Sequence, residues 1–164
     1  MRSLYFRESA GRTSRLTQRA ARWIGQVSKA IDWLAPLFDL AIRLYVANVF
    51  IRSGLTKIQS WDSTLSLFAN EYAVPWLPPE LAAYLGTAAE LCLPPLLALG
   101  LAGRFVALAL FVFNIVAASS YPDISDAGIK EHMLWGALLA VTFFHGPGKL
   151  SIDHLLRRYF IRQR

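Results

Sequence analysis

Long runs of apolar residues dominate the chain, at about 37–58, 81–99, 105–121 and 129–145. Each is close to the roughly 20 residues that one helix needs to cross a bilayer, so the pattern predicts four membrane spans. The connections carry the opposite pattern. Pro75, Pro78 and Pro79 punctuate the segment between the first two runs, Gly100 and Gly103 permit a tight turn before the third, and Gly146-Pro147-Gly148 stops the fourth. Pro36 suits the first turn of the first span. Leu65, Phe68 and Tyr72 recur at helical spacing and predict a short interfacial helix over 63–72. Pro94 and Pro95 lie inside the second run, where their rings free the carbonyls of Glu90 and Leu91 and predict a kink.

Ahead of the first span, Leu16, Ala20, Trp23, Val27, Ile31 and Leu34 share one helical face, and Arg15, Arg19, Arg22 and Lys29 fill much of the rest. This is the pattern of a basic amphipathic helix lying on anionic lipid at the cytoplasmic leaflet. An Arg-rich targeting peptide has a similar composition, because Glu8 is the only acid among the first 30 residues. The expected organisation is a basic cytoplasmic or interfacial segment over 1–34, a four-helix membrane domain over 35–148 and a basic tail over 149–164.

Composition supports an all-α, polytopic membrane protein. Hydrophobic residues make up 55% of the chain and its mean hydropathy is +0.38, against roughly 45 to 50% apolar residues in an average soluble domain. The net charge of +6 does not indicate nucleic acid, because its distribution is topological. Arg2, Arg7, Arg12, Arg15, Arg19, Arg22 and Lys29 precede the first span, Arg104 lies between the second and third, and Lys149, Arg157, Arg158, Arg162 and Arg164 follow the fourth. The other two connections hold Asp62, Glu71, Glu80, Asp123, Asp126 and Glu131 against Lys130. The positive-inside rule therefore puts both termini in the cytoplasm. It also places Trp23 and Trp33 at the inner interface and Trp61, Trp76 and Trp135 at the outer one, as aromatic belts.

Within the spans a few polar residues stand out. Glu90 is the only charge between Leu81 and Leu99, and the first span contains Arg43, Arg52 and Lys57. Charges at membrane depth are costly and face the bundle interior in pairs. Matching the midpoints of two antiparallel spans makes Arg43 the best partner for Glu90, with Asp39 competing for the guanidinium four residues earlier, and leaves Arg52 and Lys57 to snorkel outward. Asn48, Glu90 and Asn114 come out near the midplane. Arg43, Asn48, Lys57, Glu90 and Asn114 thus form a candidate intramembrane polar site, which either fixes helix register or binds a quinone headgroup, an anion or a proton. His132, beside Glu131 at the outer end of the fourth span, is a candidate proton or ligand site.

Other chemistry has little support. Cys92 is the only cysteine, which rules out a disulfide within the chain and reads as a small buried hydrophobe. His132 and His145 lie about 20 Å apart along a helix and cannot share a metal or haem iron. With no phosphate loop, nucleophile triad or metal cluster, an isolated chain is not expected to be an enzyme, no metal is expected, and no cofactor beyond a quinone is suggested.

Several short motifs follow one another in a familiar order. Arg43-Leu44 opens the first span and Gly54-Leu55-Thr56-Lys57-Ile58 closes it; Ala89-Glu90 lies in the second; Leu99-Gly100 is followed by Arg104; and Gly146-Pro147-Gly148-Lys149-Leu150-Ser151-Ile152-Asp153 follows the fourth. Over about 37–155 the chain resembles the DoxX family of small bacterial membrane proteins. That resemblance implies a four-helix protein of the bacterial inner membrane, related to the DoxD-type subunit of thiosulfate:quinone oxidoreductase. It marks Arg43, Gly54, Lys57 and Glu90 as recurrent positions and the basic N-terminal helix as an addition.

Three functions fit these observations. One is a small subunit or accessory of a quinone- or thiol/sulfur-linked redox assembly, with a polar site around Glu90 and Arg43; the absence of a second cysteine argues against direct dithiol chemistry. Another is a scaffold whose basic termini dock cytoplasmic partners or anionic lipid. The third is a small-solute carrier built as a homo-oligomer, although the two halves show no repeat of the kind carriers use.

Overall fold

The computed structural model describes the backbone of residues 2–161 and the side chains of residue 19 and of residues 21–161. All regular structure among those residues is helical, with no strand among them: α1 (Arg2–Gln59), α2 (Trp61–Asn70), α3 (Pro79–Leu99), α4 (Gly103–Ser119), α5 (Asp126–His145) and α6 (Ile152–Ile161). The side chains of Arg2, Arg7, Glu8, Arg12, Arg15, Leu16, Ala20, Arg162 and Arg164, on which parts of the sequence reading rest, lie outside those described.

Local chemistry sets most helix ends. Pro79 opens α3, where its missing N–H costs nothing, and Glu80 adds a carboxylate to the positive end of the helix dipole. Gly100 closes α3 at φ 64°, a left-handed conformation that a glycine adopts without a Cβ penalty. The Ser125 hydroxyl accepts from the Gly128 N–H and caps α5. One expectation needed correction. Pro36 lies inside α1 instead of starting a new helix, because a proline removes one backbone bond but no glycine or polar cap follows to stop the helix. The basic tail contains a helix, Ile152–Ile161. Both Pro94 and Pro95 are contained within α3.

By internal packing the chain divides into two units, 1–36 and 37–164. In the first, the apolar Trp23, Val27, Ile31 and Leu34 and the basic Arg19, Arg22 and Lys29 are all exposed. In the second, α1 from Leu37 onward joins α3, α4 and α5 around one core. Val46 and Phe50 of α1 meet Leu97 of α3, Val106, Ala107 and Leu110 of α4, and Leu139 of α5. Phe50 stands edge-on to Phe113 and Trp135, with ring centroids 6.0 Å away in both cases. Trp135 is half-buried and packs its ring against this core. The helix expected near 63–72 is α2, whose Phe68 packs with Ala82 and Ala83 at the start of α3.

The outside of this bundle is apolar. Leu44, Leu81, Phe105, Val112, Leu134 and Phe144 are all exposed. The Ala21–Gln59 part of α1 and all of α3 are long and apolar enough to cross a bilayer, while α4 is apolar but shorter.

One close approach sets the register between α1 and α3. A Cβ built on Gly54 would lie 2.8 Å from Leu91 Cδ2 and 3.0 Å from Glu90 Cβ, so only glycine fits without movement. Gly54→Ala is expected to destabilise the protein by about 1–3 kcal/mol through overpacking, read as a lower midpoint in thermal unfolding. Gly25→Ala, with nothing within 4 Å of the new methyl, is the control and should be neutral or slightly stabilising.

Candidate functional site

The glycine contact at Gly54 brings Glu90 level with the last turns of α1. Ser53 and Lys57, one turn apart, both reach it. The Lys57 ammonium donates to Glu90 Oε1 and Oε2 at 2.8 and 2.7 Å and to the Ser53 hydroxyl at 2.9 Å, and Ser53 Oγ donates to Glu90 Oε1 at 3.0 Å. The Lys57 and Glu90 side chains are 13% and 7% exposed. A charge-assisted, two-oxygen contact of this kind is what a buried carboxylate and ammonium need to coexist. Thr64 of α2 donates to the Lys57 carbonyl at 2.8 Å and so ties the interfacial helix to the end of α1.

This pair forms one wall of a cavity of about 290 Å³. Apolar side chains from α2, α3, α4 and the loop after α2 make up most of the rest, among them Phe68, Leu77, Leu85, Phe113 and Val116. Tyr72 and Ser120 add hydroxyl groups. The Ser120 side chain is buried, and its Oγ has no hydrogen-bond partner among the described residues. Its backbone carbonyl accepts from the Ala73 N–H at 2.7 Å, which fastens the loop to the end of α4. Tyr72 stacks on Phe68 and lies against Tyr121. Burial, and then the nearby Glu90 charge, pushes the Tyr72 phenol above its ordinary range, so it stays a neutral hydroxyl at physiological pH. The arrangement offers a largely apolar cavity with an ammonium, a carboxylate and a hydroxyl unpartnered among the described residues on its walls.

The other residues singled out from the sequence fall elsewhere. Arg43 is not the partner of Glu90. Its Nη1 donates to the carbonyls of Ala98 at 2.7 Å and Leu97 at 3.3 Å, and its Nη2 donates to the Leu150 carbonyl, at the far end of α3 from the cavity. Asp39 does not hold Arg43 either; it approaches His145 at 3.6 Å and lies under Gly148. Matching span midpoints misjudged the register, because the close contact at Gly54 places Glu90 beside Ser53 and Lys57. For the same reason Lys57 turns inward and does not snorkel.

Asn48 is exposed and accepts from Arg52 Nε at 3.2 Å on the outside of α1. Asn114 is buried and donates to the His132 carbonyl at 2.9 Å, while its Oδ1 lies 2.8 Å from His132 Nδ1. Glu131, expected beside His132, is exposed. Cys92 is also exposed and not a core residue. The five residues of the expected intramembrane site thus belong to four separate groups, of which only the group of Lys57 and Glu90 borders the cavity.

Sequence reasoning missed Ser53 and Ser120. Ser53 carries a readable signal, since it lies one helical turn before Lys57 on the same face. Ser120 carries none beyond its place in the turn after α4.

At the other end of the bundle, the terminal Gly-Pro-Gly motif forms a second cluster. Asp153 accepts from the backbone N–H groups of Ala102 and Gly103 at 2.9 and 2.8 Å and so caps α4, and its own N–H donates to the Gly100 carbonyl at 3.1 Å. A Cβ on Gly100 would strike Arg43 and Ser151, and one on Gly103 would strike Pro147.

Comparison with known proteins bears on both ends. A family model described as DoxX matches residues 38–121, which include Arg43, Gly54, Lys57 and Glu90. An uncharacterized protein of Haemophilus influenzae is 29% identical over 131 residues, covering 74% of this chain and 84% of that protein. No solved structure matches the chain.

Proposed function

Because the chain belongs to the DoxX family, and is therefore membrane-associated, we propose that it is a four-span protein of the bacterial inner membrane that holds a quinone headgroup for a redox assembly. In this reading α1 from Leu37 onward, α3, α4 and α5 cross the bilayer, and both termini face the cytoplasm. The exposed apolar surface of the bundle and the basic residues around Arg104 and α6 support that topology.

The observation that carries the proposal is the buried, unpartnered Ser120 hydroxyl in a cavity that also exposes a charged pair. Leaving a buried hydroxyl unsatisfied is costly unless a ligand or water completes it. A quinone headgroup is flat and apolar, and its oxygens accept hydrogen bonds from Ser120 or Tyr72. At about 290 Å³ the cavity lies at the small end of the range for ligand sites, which suits a headgroup whose tail remains in lipid. Leu77, Leu85 and Val116 line the cavity and are also exposed, giving such a tail an apolar way out. Glu90, close to Lys57 and Ser53, is the group positioned to exchange a proton with a bound quinol. In this reading electrons reach the quinone through a partner subunit of the redox assembly.

The test is equilibrium binding of a short-chain quinone to the purified full-length protein in lipid nanodiscs. Ser120→Ala should weaken binding about 5- to 10-fold, the worth of one hydrogen bond, yet leave thermal stability unchanged or slightly higher because an unsatisfied polar group has gone. Glu90→Gln should weaken binding further. Wild-type affinity in both variants would refute the site.

A further inference from the structure

We propose that α6 is a surface helix docked on the anionic lipid of the inner leaflet, with Ile152, Leu155, Leu156, Tyr159 and Phe160 inserted among the acyl chains. The proposal rests on the membrane reading above and on observations that do not involve the cavity.

Those five residues follow the i, i+3, i+4, i+7, i+8 spacing that gathers side chains on one helix face. Leu155, Leu156, Tyr159 and Phe160 are all exposed, Leu155 at 64% and Phe160 at 63%. Arg157 and Arg158 leave the helix on either side of that face, and both are exposed. Their long side chains can lie along an apolar surface while the guanidinium groups reach phosphate. Acidic charge does not offset them. The only carboxylate between Lys149 and Ile161 is Asp153, and it is engaged at the start of α4. What α6 presents outward is therefore apolar and cationic, the complement of an anionic membrane surface.

The base of the helix is held firmly. Asp153 caps α4, Ser151 Oγ accepts from the His154 N–H at 3.2 Å and donates to the Gly148 carbonyl at 2.7 Å, and Arg43 binds the Leu150 carbonyl. These contacts start α6 at the ends of α3, α4 and α5, where Leu99, Phe105 and Phe144 are exposed apolar residues. A helix starting beside that apolar belt meets the membrane boundary without crossing it. A soluble protein partner would not require this continuity, and neither would a second copy.

The experiment uses full-length protein in a Cys92→Ala background, with Phe160→Cys carrying a fluorescent label, in nanodiscs containing spin-labelled lipid. A second labelled protein, Val112→Cys on the exposed face of α4, reports the bundle's own lipid contact. The expected result is quenching at both sites, with quenching at position 160 at least about twofold stronger in discs containing phosphatidylglycerol than in phosphatidylcholine alone. Arg157→Glu with Arg158→Glu should abolish that difference and leave position 112 unchanged. Quenching at 112 without quenching at 160 overturns the docking and keeps the membrane reading. Equal quenching at 160 in both lipids overturns the anionic preference, and a signal at 160 that depends on protein concentration assigns the face to a second copy. Absence of quenching at 112 would count against the membrane reading itself.

Discussion

Lys57→Leu is expected to lower stability by about 3–5 kcal/mol, the usual result of stranding one member of a buried ion pair. Glu90 would keep only Ser53 as a hydrogen-bond partner in a position where 7% of its side chain meets solvent. Removing both charges should be far milder, because Lys57→Leu with Glu90→Leu leaves no uncompensated charge and places two apolar side chains in an already apolar slot. The double variant should therefore recover most of the loss, which appears as a large coupling term in a double-mutant cycle followed by reversible unfolding in detergent micelles. Additive single effects would mean that the pair is not coupled. The same cycle separates structure from ligand binding, since the double variant is expected to fold but not to bind quinone.

The contrast between those variants shows why the site was only half legible in the sequence. The helices themselves follow from length and hydropathy, and α3, α4 and α5 begin and end within a few residues of the apolar runs that predict them. Pairing between helices depends on register, and register is set by contact at single atoms. Gly54 is readable as a small residue, but nothing in its neighbourhood indicates that it meets Leu91 and Glu90 and not another turn of α3. Aligning midpoints shifts the partner of Glu90 by several turns and selects Arg43, a chemically reasonable answer in the wrong place. Ser120 was unreadable for a different reason. It matters because its hydroxyl lacks a partner, a property of its surroundings that sequence does not encode locally.

The polar and glycine residues singled out from the sequence divide between two jobs, at opposite ends of α3 and α4. Gly54, Lys57 and Glu90 build the polar side of the cavity, whereas Arg43, Gly100 and the segment from Gly146 to Asp153 join the helix ends. The first job leaves an unfilled space lined by polar atoms, and the second joins the helix ends through side-chain hydrogen bonds and close glycine contacts. This division predicts different phenotypes: substitutions near Gly54 should affect both ligand binding and folding, while those around Arg43 should affect folding alone.

Arg43→Met provides the strongest test of that division. Arg43 is 1% exposed and its guanidinium donates to three carbonyls, two near the C-terminal end of α3 and one before α6. Carbonyls at a helix end carry the negative pole of its dipole and lack intrahelical donors, so a buried cation satisfies both needs together. Methionine fills the volume but donates nothing, and the loss of three charged hydrogen bonds in a buried setting is expected to cost about 3–5 kcal/mol. Arg43→Lys should recover less than half, because a single ammonium cannot span α3 and the Leu150 carbonyl as the planar fork does. Once its anchorage is lost, α6 should loosen, and limited trypsin treatment should cut at Arg157 and Arg158 well before the bundle unfolds. Quinone affinity per folded molecule should not change, since the cavity lies at the other end of α3. A variant with intact stability and a protected tail would show that Arg43 does not secure this end. One that kept its stability but lost quinone binding would move Arg43 into the site and refute the division between the two ends.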